Sequence, residues 1–98
     1  MKDVYADATA LRGIVDYLQK SAEPVRTNEL AMTQHIGDPA ALRLCRVLEK
    51  AGHIEHPTVT RVVFGVNQQV PQLGWQLALN FRLMECTFDA EALARKGT

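Results

Sequence analysis

The stretch IGDPAALRLCRVLEKAGHI, Ile36 to Ile54, begins with helix-start signals and ends on a helix-stop signal. Asp38 is placed to cap a helix. Pro39 fits the first helical position, where the N–H it lacks would be unbonded anyway, and Gly52 marks the end. With successive residues about 100° apart, Ala41, Leu44, Cys45, Leu48 and Ala51 fall on one side of this helix. Arg43, Arg46 and Lys50 gather on the opposite side. The inner face is built for a core, so the chemistry of the outer face decides what the helix is for.

Upstream, Gly37 supplies the left-handed conformation that a sharp turn between helices needs, and Ile36 is set to plug the core at that corner. Thr27 reads as the N-cap of a short helix, with Glu29 beside the positive end of the helix dipole and Leu30, Ala31 and Gln34 as a modest inner face. Pro24 disfavours helical geometry in the residue before it, so a short loop separates this helix from an earlier one. That first helix carries Leu11, Ile14, Val15 and Leu18 at i, i+3, i+4 and i+7, a single inward stripe. Asp7 or Thr9 is its cap, and it ends near Ser21.

Beyond Gly52 the pattern changes. Ile54, Val59, Val62, Val63, Phe64 and Val66 are β-branched or aromatic, are broken by His56-Pro57 and Gly65, and predict strands. Val66 to Gln72, polar and containing Pro71, reads as a loop or hairpin tip. From Leu73 to Leu83 every odd position is apolar (Leu73, Trp75, Leu77, Leu79, Phe81, Leu83), which favours a strand. The alternative is a helix, because Leu73, Leu77, Phe81, Met84 and Phe88 also form a helical stripe of good helix formers. Asp89 then caps a short terminal helix from Ala90 to Lys96.

A chain of 98 residues has the size of one domain, so residues 1–98 are read as a single unit. Hydrophobic content of 47% and charged content of 22% match ordinary globular domains and exclude the disordered and fibrous classes. Lys plus Arg and Asp plus Glu number 11 each, which gives no whole-chain pull toward polyanions and makes any charge argument local. No apolar run follows Lys2, and no stretch of about 18 apolar residues occurs, so a cytoplasmic protein without membrane contact is expected. Cys45 and Cys86 form no paired motif and read as reduced thiols.

Three helices, the last two joined by a tight turn and followed by β structure, resemble the winged helix-turn-helix family of DNA-binding domains over roughly Leu11 to Leu79. The most diagnostic part runs from Thr27-Asn28-Glu29-Leu30-Ala31 through Ile36-Gly37-Asp38 to Leu44, Leu48-Glu49-Lys50-Ala51-Gly52 and Ile54. The resemblance implies an α+β fold with a three-helix core, a helix-turn-helix at about 27–51, a wing and following β segment at about 53–83, and a C-terminal tail at 87–98 with a short helix. It also implies a small sequence-specific regulator of transcription or of a mobile element, with double-stranded DNA as partner and helix 39–51 as the reading element.

In that family the start of the second helix meets phosphates, which would give Thr27 and Asn28 positioning roles. Arg43 and Arg46 would face base edges or nearby phosphates, their guanidinium forks suiting guanine O6 and N7. Lys50 would take a phosphate, and Arg61 on the wing would reach a minor groove or the backbone. A homodimer is a natural partner state, since helix-turn-helix proteins commonly match two half-sites about one DNA turn apart.

The local charge is thin. Arg26, Arg43, Arg46, Lys50 and Arg61 stand against Glu29, Asp38, Glu49 and Glu55, a surplus of one. Leu42 also borders the outer face where polar readers usually sit. The alternative function is a winged-helix module that docks another protein through Leu42, Val47 and the wing; a plain solvated helix face would carry the same stripe. A third reading is a thiol sensor at Cys45 or Cys86.

Other chemistry finds no footing. His53 and His56 are three apart, with His35, Cys45 and Cys86 elsewhere, but no paired ligand motif marks a zinc site and no metal or cofactor is expected. There is no nucleophile elbow, phosphate-cradling glycine loop or HExxH, so an enzyme is not expected. Tyr5 and Tyr17 read as partial core.

Overall fold

The computed structural model describes residues 4–71, 73–78 and 89–96. Helix α1 (Val4–Lys20) buries Leu11, Ile14, Val15 and Leu18, the stripe that the 3.6-residue period predicts. Neither proposed cap starts it: Asp7 and Thr9 lie inside the helix, because the backbone is already helical at Val4. The Thr9 hydroxyl instead donates to the Tyr5 carbonyl at 2.9 Å. At the other end the Ser21 hydroxyl donates to the Tyr17 carbonyl at 2.8 Å and closes the last turn.

Strand β1 (Val25–Arg26) replaces the loop expected after Pro24. Helix α2 (Thr27–Gln34) follows at once, with Arg26 as its N-cap and Thr27 already helical. Lying inside the helix, Thr27 does not cap it; its hydroxyl instead accepts a hydrogen bond from Trp75 Nε1 at 2.9 Å. The turn after α2 also departs from expectation. His35, at φ 55, takes the left-handed conformation, while the Ile36 N–H bonds the Ala31 carbonyl and the His35 N–H bonds the Met32 carbonyl. These two bonds close a Schellman turn, so the left-handed residue sits at the helix end and Gly37 is left extended. Ile36 packs partly buried on the core at this corner, as anticipated.

Helix α3 (Asp38–Lys50) has Gly37 rather than Asp38 as its N-cap, with no side-chain capping bond. Asp38 lies in the first turn, where its carboxylate faces the positive end of the dipole. Ala41, Leu44, Cys45 and Leu48 are buried as predicted, but Ala51 is exposed because the helix has ended before it. Gly52, at φ 80, forms the second Schellman turn: its N–H bonds the Glu49 carbonyl and the His53 N–H bonds the Leu48 carbonyl.

Among the described residues four strands follow: β2 (Ile54–Glu55), β3 (Thr58–Val63), β4 (Val66–Pro71) and β5 (Gly74–Leu77). One antiparallel sheet has the order β1-β5-β2, with Val25 opposite Trp75 and Ile54 opposite Leu77. The strand preferred over a helix for Leu73 to Leu83 holds at Gly74–Leu77, with Trp75 and Leu77 buried. Leu73 lies outside that alternation and is 75% exposed. The remainder, from Leu79 to Leu83, lies outside the described residues, as does Cys86.

Strands β3 and β4 form a separate two-stranded hairpin, in register from Thr58 opposite Pro71 to Val63 opposite Val66. The expected loop at Val66 to Gln72 is therefore mostly strand, and the tip is Phe64-Gly65, with φ of 52 and 79. Two positive φ values match the right-handed strand twist, as in a type I′ turn. Polarity is a poor guide here: an exposed ribbon has no buried face to impose alternation. Helix α4 (Ala90–Lys96) is capped by Asp89, whose Oδ1 accepts the Ala92 N–H at 3.1 Å. It packs on α1 and buries Ala90 and Ala94.

The core joins α1, α2 and α3 to β1, β2, β5 and α4. No residue of β3 or β4 is buried. Among the described residues, no buried side-chain nitrogen or oxygen lacks a hydrogen-bond partner, and no helix is long and apolar enough to cross a membrane.

Candidate nucleic-acid interface

The outer face of α3 divides between a structural tie and free charge. Arg43 meets Asp7 of α1 through two parallel bonds, Nη1 to Oδ2 at 3.1 Å and Nη2 to Oδ1 at 3.0 Å. The Asp7 side chain is only 14% exposed, so the pair ties α3 to α1 from a half-sheltered position. Arg46 and Lys50 are exposed and make no ion pair among the described residues. The stripe predicted as one group thus holds one arginine committed to the fold and two cations left to solvent.

Beside Arg46 and Lys50 runs an open groove of about 790 Å³ between α3 and α4. Leu42 and Val47 of α3 and Leu93 of α4 supply its apolar wall, and Lys96 adds a cation to Arg43, Arg46 and Lys50. Lys96 is no candidate by sequence, because only the packing of α4 brings it to α3. Leu42 is 37% exposed, the borderline position its place in the helix predicts.

At the start of α2, Arg26 and Asn28 are exposed and Thr27 is half-buried. Asn28 Oδ1 accepts the Glu29 N–H at 3.0 Å. Thr27 accepts from Trp75, so its own hydroxyl proton remains directed elsewhere and able to donate to an oxygen. The indole is held on its other side by His56, whose ring stacks on it at 3.7 Å and 29°. His56 Nδ1–H donates to the Gly74 carbonyl at 2.8 Å. One aromatic pair therefore connects the first turn of α2 to the base of the hairpin. The buried indole's need for an acceptor is legible in a sequence; which residue provides it is not.

Arg61, on β3, is exposed and lies opposite Gln68 of β4. Tyr17 donates to Glu29 Oε2 at 2.5 Å, tying α1 to α2, and this bond to a carboxylate raises the phenol pKa above its ordinary value, with desolvation adding to it. Tyr5 is 72% exposed rather than partial core.

Cys45 is fully buried, and its thiol is pushed up to about 12 by desolvation first and by Glu49 second. A thiol held protonated in a core is a poor oxidation target, which removes the structural basis for sensing at this residue. Burial also lowers the pKa of His53. No group of three His, Cys, Asp or Glu among the described residues is arranged to hold a metal. Compared with known protein families, with characterised proteins and with solved structures, the chain matches none of them.

Proposed function

We propose that this chain is a winged helix-turn-helix protein that binds double-stranded DNA in a sequence-specific way, as a small regulator of transcription or of a mobile element. The carrying observation is the arrangement of α2 and α3 about a three-residue turn, followed by a hairpin that springs from β2 and β5 and buries none of its own residues. Helix α3 is the reading element, with Arg46 as the base or phosphate contact and Lys50 as a phosphate contact. Arg43 holds the helix in place and reaches DNA only by leaving Asp7. Arg26, Thr27 and Asn28 position the backbone at the first turn of α2, and Arg61 serves the wing. Two copies on half-sites about one DNA turn apart complete the proposal.

Fluorescence anisotropy with mixed-sequence duplex, at low and at near-physiological salt, tests this reading. Phosphate contacts release counterions, so affinity falls steeply with salt. Arg46→Ala with Lys50→Ala weakens binding and reduces the salt slope by about one for each phosphate that is no longer neutralised. Absence of binding at low salt contradicts the proposal.

The groove between α3 and α4 favours a second reading. Its apolar wall of Leu42, Val47 and Leu93 suits a protein segment. Such docking is nearly indifferent to salt and is lost on Leu42→Asp, whereas DNA binding depends on Arg46 and Lys50.

A further inference from the structure

The tip of the hairpin carries two features that folding alone does not reward. Phe64 is fully exposed, and at φ 52 it holds a left-handed conformation that asparagine or glycine adopts with less strain. Val62 and Val66, on either side of the turn, are 70% and 58% exposed. Three apolar side chains thus stand in water at the far end of the ribbon.

The rest of the ribbon says what covers them. From His56 to Pro71 there is no acidic residue. Arg61 and Gln68 share one face, while Asn67 and Gln69 share the other, where Gln69 donates to Thr60 at 2.8 Å. Guanidinium and amide donors without a carboxylate suit the minor groove of DNA, whose floor presents adenine N3 and thymine O2 acceptors between two phosphate rows. An apolar side chain leading such an element into the groove parts a base step and kinks the duplex.

We propose that the hairpin tip is a minor-groove wedge in which Phe64 inserts between base steps of double-stranded DNA while Arg61, Asn67 and Gln68 line the groove behind it. The wedge rests on the DNA-binding reading above and adds a deformation of the DNA to it. Flexible TA and CA steps are its preferred sites, since they unstack at least cost. The strained turn has a use here, because it keeps the Phe64 ring fully exposed at the tip of the ribbon.

The test uses the full chain and an A·T-rich duplex in which 2-aminopurine replaces adenine at TA and CA steps. Wild type raises the 2-aminopurine fluorescence on binding, as unstacked bases do. Phe64→Asn creates an Asn-Gly turn, keeps the fold, removes the rise and weakens binding about tenfold. Phe64→Trp keeps the rise, and the new indole is quenched as it stacks on bases. Wild-type binding with an equal rise in Phe64→Asn overturns the wedge and leaves DNA binding by α3 standing. No binding by wild type at low salt overturns both. Self-association of wild type that Phe64→Asn abolishes, with no change in unstacking, assigns the tip to a second copy and also overturns the wedge.

Discussion

In the helical body, Leu11, Ile14, Leu44, Leu48 and Trp75 are all but removed from water, whereas in the hairpin Val62, Phe64 and Val66 are 70%, 101% and 58% exposed. Both regions are rich in apolar residues, yet only the body gains the roughly 25 cal/mol per Å² that burial supplies. The hairpin holds together through its ladder and through cross-strand pairs such as Val59 with Val70, each contributing a fraction of a kcal/mol. Its tip even opposes folding, since a bulky residue in the left-handed region costs about 1–2 kcal/mol. The contrast teaches that the body explains stability and the hairpin needs a different explanation, for which the proposed DNA contact is one.

The sharpest way to break this contrast is at Trp75, the largest buried side chain and the link from α2 to β5. Trp75→Ala removes a packed indole and leaves Thr27 and His56 without their partner, so urea denaturation should show a loss of about 3–5 kcal/mol. A smaller loss would mean that the body depends on this ring less than its burial implies.

The interior thiol gives a pH-dependent version of the same test. The folded pKa of Cys45 is raised from 9.0 to about 12, so its contribution is fully present below pH 9 and is lost as pH rises toward 12. The slope is about 1.4 kcal/mol per pH unit in that window. Wild type should therefore lose stability more steeply than Cys45→Ala above pH 9, and a thiol reagent at neutral pH should reach Cys45 only on unfolding. Parallel alkaline profiles would contradict the burial of this group.

Within α3 the two outward arginines divide along the same line. Asp7→Ala leaves Arg43 without its two bonds and should cost about 1–2 kcal/mol, while Arg46→Ala should change stability by no more than about 0.5 kcal/mol. Only Arg46→Ala should lower DNA affinity directly. At the tip, Phe64→Asn relieves the left-handed strain and should stabilise the fold slightly, by up to about 1 kcal/mol, as a small rise in the urea midpoint.

Much of the body is legible in the sequence. The inward stripes of α1 and α3, the stop at Gly52, the cap at Asp89 and the strand through Trp75 all follow from local periodicity and capping, which are properties of neighbouring residues. What escapes a sequence depends on distant partners. Asp7 reads as a cap, and only packing pairs it with Arg43 of α3; Thr27 reads as a cap, and only packing brings Trp75 of β5 to its hydroxyl. Strand β1 has two residues and exists only because β5 lies beside it. The hairpin lies several residues from its expected place because a ribbon with no fully buried face carries little alternation. Of the candidate site, Arg46, Lys50 and Arg61 are identifiable from sequence as outward cations; Lys96 and the tip at Phe64 emerge only from the fold.

The division of labour between body and hairpin is tested most directly by replacing Thr60 to Gln69 with Asn-Gly, which closes a tight turn between Val59 and Val70 and removes the tip. Urea denaturation and DNA anisotropy are then read on the same protein. The account predicts stability within about 1 kcal/mol of wild type, together with weakened DNA binding and no base unstacking. A shortened chain that no longer folds, or one that folds and binds DNA as wild type does, would contradict it.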